Sequence, residues 1–190
     1  MGEVLDELLR EHKSVASVLN VLERQVQIFE TGGRPDYELI EAAVEYFLGF
    51  PDRCHHPKED LVFARLRQRD PDAARKVGDL AAAHVALAEN LRIFAAGLQA
   101  VVDEAELPRA AVVRWARGFI ELQRQHLAME EAALFPAAEA ALTPRDWSEL
   151  AAAMTKAPDP LVHGDPEARF EALRRNILAW QAEDDQTQSN

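Results

Sequence analysis

A single cysteine, Cys54, is all the chain offers for thiol chemistry, so an intramolecular disulfide framework and a cysteine-built zinc or iron–sulfur site are excluded within it. Glycine is sparse, 8 residues in 190, and none sits in a phosphate-cradling loop; no Ser-His-Asp arrangement with an elbow is present either. Basic residues are outnumbered, 21 Lys plus Arg against 33 Asp plus Glu, for a net charge of −12 and a pI near 4.9. Phosphate binding needs clustered Lys and Arg, so neither nucleic acid nor an anionic membrane is an expected partner. The start, Met1 to Glu7, is acidic and lacks the basic and apolar regions of a secretory signal. No apolar run approaches the roughly 18 residues of a membrane span on this reading. Hydrophobic residues nonetheless make up 48%, enough for a real core, and a cytoplasmic protein is expected.

The apolar residues that are present recur at helical spacing. Leu5, Leu8, Val15, Leu19, Leu22, Val26 and Phe29 form a first stripe, ended by Gly32-Gly33. A second opens at Pro35-Asp36 and carries Ile40, Val44, Phe47, Val62 and Leu66, with a kink or break expected at Pro51 and Pro57. Asp70-Pro71 reads as the cap of a third helix bearing Val77, Leu80, Leu87, Leu91, Phe94 and Leu98; Pro108 opens a fourth with Trp115, Phe119, Leu122 and Ala133. Four long amphipathic segments on short connections predict an all-α fold, an antiparallel up-down-up-down four-helix bundle over residues 1–142. A short helical extension is expected over 143–182. It comprises a helix capped at Thr143 to Asp146, a stiff Pro-rich connection, and a last helix with Phe170, Leu173, Ile177 and Trp180. Residues 183–190 read as a disordered polar tail.

The chemistry lies in the histidines, four of which stand where leucines belong. His12 continues the stripe of Leu5 and Leu8, His84 falls between Leu80 and Leu87, and His126 follows Phe119 and Leu122. His55 shares the register of Val44, Phe47 and Val62, and Glu59 and Glu130 each lie four residues after a core histidine. A glutamate on a core stripe is expensive unless paired or bound to a metal. His12 and His84 are 72 residues apart and His55 and His126 are 71 apart, so the chain reads as two copies of a helix pair. Each pair supplies one lone histidine and one His-x-x-x-Glu, whose i, i+4 spacing aims imidazole and carboxylate from one helix face.

This pattern, with the local runs His55-His56-Pro57-Lys58-Glu59-Asp60 and Glu130-Glu131-Ala132-Ala133-Leu134-Phe135-Pro136, resembles the hemerythrin-like, or HHE cation-binding, family across about Leu5 to Leu142. The resemblance implies a non-haem di-iron centre, two iron ions bridged by oxo or hydroxo. His12 and His55 would ligate one iron, His84 and His126 the other, and Glu59 and Glu130 would bridge them. The all-N,O ligand set also suits manganese or zinc. Oxygen-carrying relatives have a fifth histidine where this chain has Leu80, which weakens reversible oxygen carriage and leaves each iron an open position. The expected partners are O2, NO or peroxide, bound for sensing, storage or detoxification, in a pocket lined by Leu19, Phe94, Phe119 and Leu122. A homodimer is left open.

Two other functions stay open: enzymatic iron–sulfur cluster repair or peroxide turnover, and an iron-responsive binding module. The helix starting almost at Met1, with no cysteine-bearing segment before it, counts against repair. No effector domain is expected within the chain, so a partner of such a module would act in trans. His56, about 100° round the helix from His55 and matched by Leu127 in the other repeat, is expected at the surface or hydrogen-bonded outside the site. Its replacement should leave metal in place. Asp60 and Glu131 read as solvated, with hydrogen bonding to an imidazole the lesser reading. Cys54 reads as an inert thiol and His163 as exposed.

Overall fold

The computed structural model describes residues 2–103, 106–154, 159–161 and 170–179 of the chain, and among these it is helical with no strand. The expected tail over 183–190, most of the Pro-rich connection, His163 and Trp180 lie outside the described residues.

Helix α1 (Gly2–Glu30) buries Leu8, Val15, Leu19 and Leu22 along one face. It ends in a Schellman turn: Gly33 N–H bonds Ile28 O at 2.9 Å and Gly32 N–H bonds Phe29 O at 3.1 Å, with Gly32 at φ +88°. Asp36 caps α2 (Tyr37–Phe50) by accepting from Leu39 N–H at 3.2 Å. Neither a simple kink nor a break follows. Residues Pro51–His55 form a π turn in which His56 N–H reaches Pro51 O, and α3 (His56–Arg69) continues directly. Pro57 has no N–H to give, and its ring crowds the carbonyl four residues back, so the helix widens by one residue.

The expected third helix is two helices. Asp70 caps α4 (Pro71–Val77), accepting from the amides of Asp72 and Ala73, but Gly78 at φ +96° ends it. Asp79 then caps α5 (Leu80–Val102). A glycine in the left-handed region followed at once by a capping aspartate is a stop and a start, and it overrides the continuous apolar register.

Helix α6 (Arg109–Met129) begins after Pro108 and runs into a second π turn, Glu130–Leu134, before α7 (Phe135–Ala141). Again the turn stops one residue short of a proline, here Pro136. The extra residue shifts the helix phase, so Leu134 and Phe135 are buried where Ala133 was expected. Gln123, not the half-buried Leu122, takes the buried position before His126. Gly97 marks a close approach of α5 to α6, since a Cβ there would come within 2.6 Å of the Trp115 ring.

Helices α1 and α2, α2 and α5, α5 and α6, and α6 and α1 are in contact, closing a ring. Their apolar side chains form two separate clusters. One holds Val15, Leu19, Phe47, Leu91, Phe94 and Phe119; the other holds Leu8, Val62, Leu66, Leu80, Leu134 and Phe135. His12, His55, Glu59, His84, His126 and Glu130 all fall between them. The extension docks on both. Helix α8 (Pro144–Ala153), opened by a capping box between Thr143 and Asp146, buries Trp147 and Leu150 in the second cluster. Phe170 and Leu173, from a helical stretch over 170–179, join the first.

One stretch, Pro71–Val102, is long and apolar enough to cross a membrane by length and composition, contrary to the expectation of none. Much of that apolarity is alanine, and its large side chains Leu80, Leu87, Leu91, Phe94 and Leu98 are buried inside the fold.

Candidate metal centre

Each ligand candidate is delivered by a different turn of the ring. His12 comes from the middle of α1, one turn past Leu8; His84 from α5, one turn past Leu80. His55 closes the first π turn, Glu59 lies one turn into α3, His126 is near the end of α6, and Glu130 opens the second π turn. All six residues expected from the sequence are buried, and Glu59 and Glu130 are fully so.

The two carboxylates share the histidines between them. Glu59 Oε1 lies 3.0 Å from both His12 Nε2 and His55 Nε2, while its Oε2 faces His84 Nε2 at 3.6 Å. Glu130 Oε1 lies 3.2 Å from His126 Nε2 and 3.8 Å from His84 Nε2, and its Oε2 faces His12 Nε2 at 3.5 Å. Each carboxylate therefore presents one oxygen to the His12 side and one to the His84 side.

Outside this core, further carboxylates grip the far nitrogens of three imidazoles. Glu131 Oε1 bonds His12 Nδ1 at 2.9 Å, Glu11 Oε2 bonds His55 Nδ1 at 2.8 Å, and Asp60 Oδ1 bonds His84 Nδ1 at 3.1 Å. With Nδ1 held as donor, Nε2 is left to face the centre, which is how outer partners orient ligand histidines. Glu131 and Asp60 are half exposed yet do this, so the reading of them as merely solvated is corrected. Glu11 is in turn held by the buried Lys58 Nζ at 2.5 Å, which also reaches Glu7 at 2.5 Å.

The electrostatics follow from this crowding. Burial works against charge on His12, but the facing carboxylates of Glu130, Glu59 and Glu131 push its pKa up to about 10. Against the same burial, Glu59 and Glu11 carry His55 up to about 9, and Glu130 and Glu59 carry His84 up to about 9. Glu59 outweighs its own desolvation and is held well below the usual carboxylate range by His55, His12 and His84. His126 is lowered, chiefly by burial. Without a metal, imidazolium protons balance the buried carboxylate charge. A divalent cation is the alternative balance, and it fits the donors: His55 Nε2, His84 Nε2, His126 Nε2, Glu59 Oε2 and both Glu130 oxygens are buried with no protein hydrogen bond.

Sequence reasoning missed four residues. His56 is neither at the surface nor outside the centre. It is 6% exposed, its ring stacks on His84 at 4.2 Å, and a donor atom of it lies within 4.8 Å of donors on Glu59, His84 and His126. Glu11, Lys58 and Gln123 are buried as well. Their signal was present: Glu11 stands between Leu8 and Val15, Lys58 between His55 and Val62, and Gln123 between Phe119 and His126, each at three- and four-residue spacing. Leu80, the expected place of a fifth histidine, packs into the second apolar cluster. A void with room for about one water-sized molecule adjoins His56 and Gln123, walled by Phe47, Leu87 and Phe119.

An all-helical fold whose core is divided by a layer of imidazoles and carboxylates defines a protein with a buried candidate cation site. The chain belongs to the hemerythrin HHE cation-binding domain family, whose match spans residues 3–138. Comparison with curated proteins and with solved structures finds no significant match.

Proposed function

We propose that the protein is a non-haem di-iron protein that binds O2, NO or peroxide at an open, carboxylate-bridged pair of metals, for sensing, storage or detoxification. The observation that carries this reading is the division of Glu59 and Glu130, each with one oxygen toward His12 and the other toward His84. A single-cation site would not need two carboxylates to face both ways. Two iron ions, when bound, supply a redox-active pair with an exchangeable position for a small ligand. His12, His55, His84 and His126 would hold them, and Glu11, Glu131 and Asp60 keep three of those imidazoles aimed. The two apolar clusters that flank the layer keep bulk water from it.

The scaffold in this reading is an antiparallel up-down-up-down four-helix bundle. It is supported by the order in which the segments meet the two clusters. α1 passes from the second cluster to the first, α2 with α3 from the first to the second, α5 back, and α6 with α7 forward again. Such alternation is what antiparallel neighbours produce.

The test is metal analysis of the purified chain, with visible absorption recorded through anaerobic reduction and then NO or O2 addition. About two irons per chain and a spectrum that changes on each addition are expected. His126→Ala and Glu130→Ala should each lower the metal content sharply. Protein that takes up no metal, or holds one ion unaffected by Glu130→Ala, refutes the reading.

A further inference from the structure

We infer that His56 is a fifth imidazole ligand, so that the two metal positions are unequal: three histidines on one side and two on the other. The inference rests on the di-metal reading above and assigns a role to a side chain that reading does not use.

Successive residues on a helix point about 100° apart. Where α3 begins, that angle separates the two halves of the centre. His55 turns toward His12, ring centroids 5.0 Å apart, and His56 turns toward His84 and His126, at 4.2 and 5.6 Å. Adjacent residues on one helix thus serve opposite sides of the same carboxylate, Glu59. The chemistry of the ring agrees with the geometry. Both His56 nitrogens are buried without any protein hydrogen bond, whereas His12, His55 and His84 each have Nδ1 fixed by a carboxylate. A buried imidazole with two unpartnered nitrogens is costly unless something outside the protein's own donors and acceptors satisfies one of them.

The pseudo-repeat makes the feature one-sided. The residue matching His56 is Leu127, which packs in the first apolar cluster. The His84 side then has five protein donors, the imidazoles of His56, His84 and His126 with Glu59 Oε2 and Glu130 Oε1. The His12 side has four, the imidazoles of His12 and His55 with Glu59 Oε1 and Glu130 Oε2. With His56 among them, the His84 side would offer a metal five protein donors against four on the His12 side, which would leave the His12 side the more open to an exogenous ligand. His56, arriving from α3, supplies the donor that Leu80 does not.

The test uses cobalt(II) as the probe on the full chain, comparing the parent with His56→Ala and His56→Phe. The phenylalanine keeps a ring to stack on His84 but has no nitrogen. Binding is read by elemental analysis, competitive titration and visible absorption, and each metal-free variant is checked by thermal melting. The parent should bind two cobalt ions per chain. Both variants should weaken one binding step by at least about tenfold, the lower end of what even an outer-partner loss costs, and change the cobalt spectrum while remaining folded. If His56→Phe matches the parent in both affinity and spectrum, the ring only stacks; the inference fails and the di-metal reading stands. If the parent binds no cobalt and no iron, the di-metal reading itself fails and takes the inference with it.

Discussion

Metal loading near neutral pH is expected to expel about three protons per chain. In the metal-free protein His12 titrates at about 10, and His55 and His84 at about 9, so all three are imidazolium at pH 7.5. His56, held well below the ordinary value by burial and by the facing His84, and His126, lowered by burial, are already neutral and release nothing. Only neutral imidazole ligates, so each of the three protons must leave. The overall affinity for two cations should then rise about a thousandfold per pH unit below about pH 8, or about 4 kcal/mol at 1.36 kcal/mol per proton, and less steeply from there to pH 9. The metal-free fold moves the other way. A histidine pKa raised from 6.5 contributes stability that is complete below 6.5 and is lost as pH climbs through 9 to 10. Stabilisation by metal should therefore widen with pH over that window. Zinc(II) titrated by calorimetry, in two buffers of different ionisation enthalpy, reads the proton count directly. Release of fewer than about one proton, or an affinity flat between pH 6.5 and 8.5, would refute the carboxylate–imidazolium balance described for the centre.

Two further outcomes concern the frame around the site. Trp147 is 2% exposed and its Nε1 has no partner, so Trp147→Phe should be mild, under about 1.5 kcal/mol, whereas Trp147→Ala should cost about 3–5 kcal/mol in urea unfolding. Lys58→Met leaves the buried Glu11 with His55 as its one remaining partner among those described and should destabilise by about 1–3 kcal/mol. A double-mutant cycle with Glu11→Gln should show coupling above about 0.5 kcal/mol, and simple additivity would mean the pair is not interacting.

The sequence by itself determined the helices and most of the buried polar side chains gathered at the centre. A 3.6-residue apolar period needs no tertiary information to be read, and a histidine or glutamate placed in that register must be buried wherever the stripe packs. This is why His12, His55, Glu59, His84, His126 and Glu130 were legible together, as were Gly32, Asp36, Pro108 and the Thr143–Asp146 cap. Local signals were also enough to divide the third helix at Gly78-Asp79, although the continuous apolar stripe across that point hid it.

The tertiary structure alone decided the rest. Pro51, Pro57 and Pro136 announce a disturbance, but a kink, a break and a π turn all answer the loss of one N–H. Only packing on both sides selects the π turn, with its one-residue change of phase. His56 was misread because one helix face was assumed to be inward, whereas α3 enters between His12 on one side and His84 on the other, and two faces are inward there. Asp60, Glu131 and Glu11 became partners of His84, His12 and His55 only when helices distant in sequence were brought together. Register along a helix is a local property; which carboxylate meets which imidazole depends on how separate helices are aligned, and that is set by the two apolar clusters that clamp the polar layer between them.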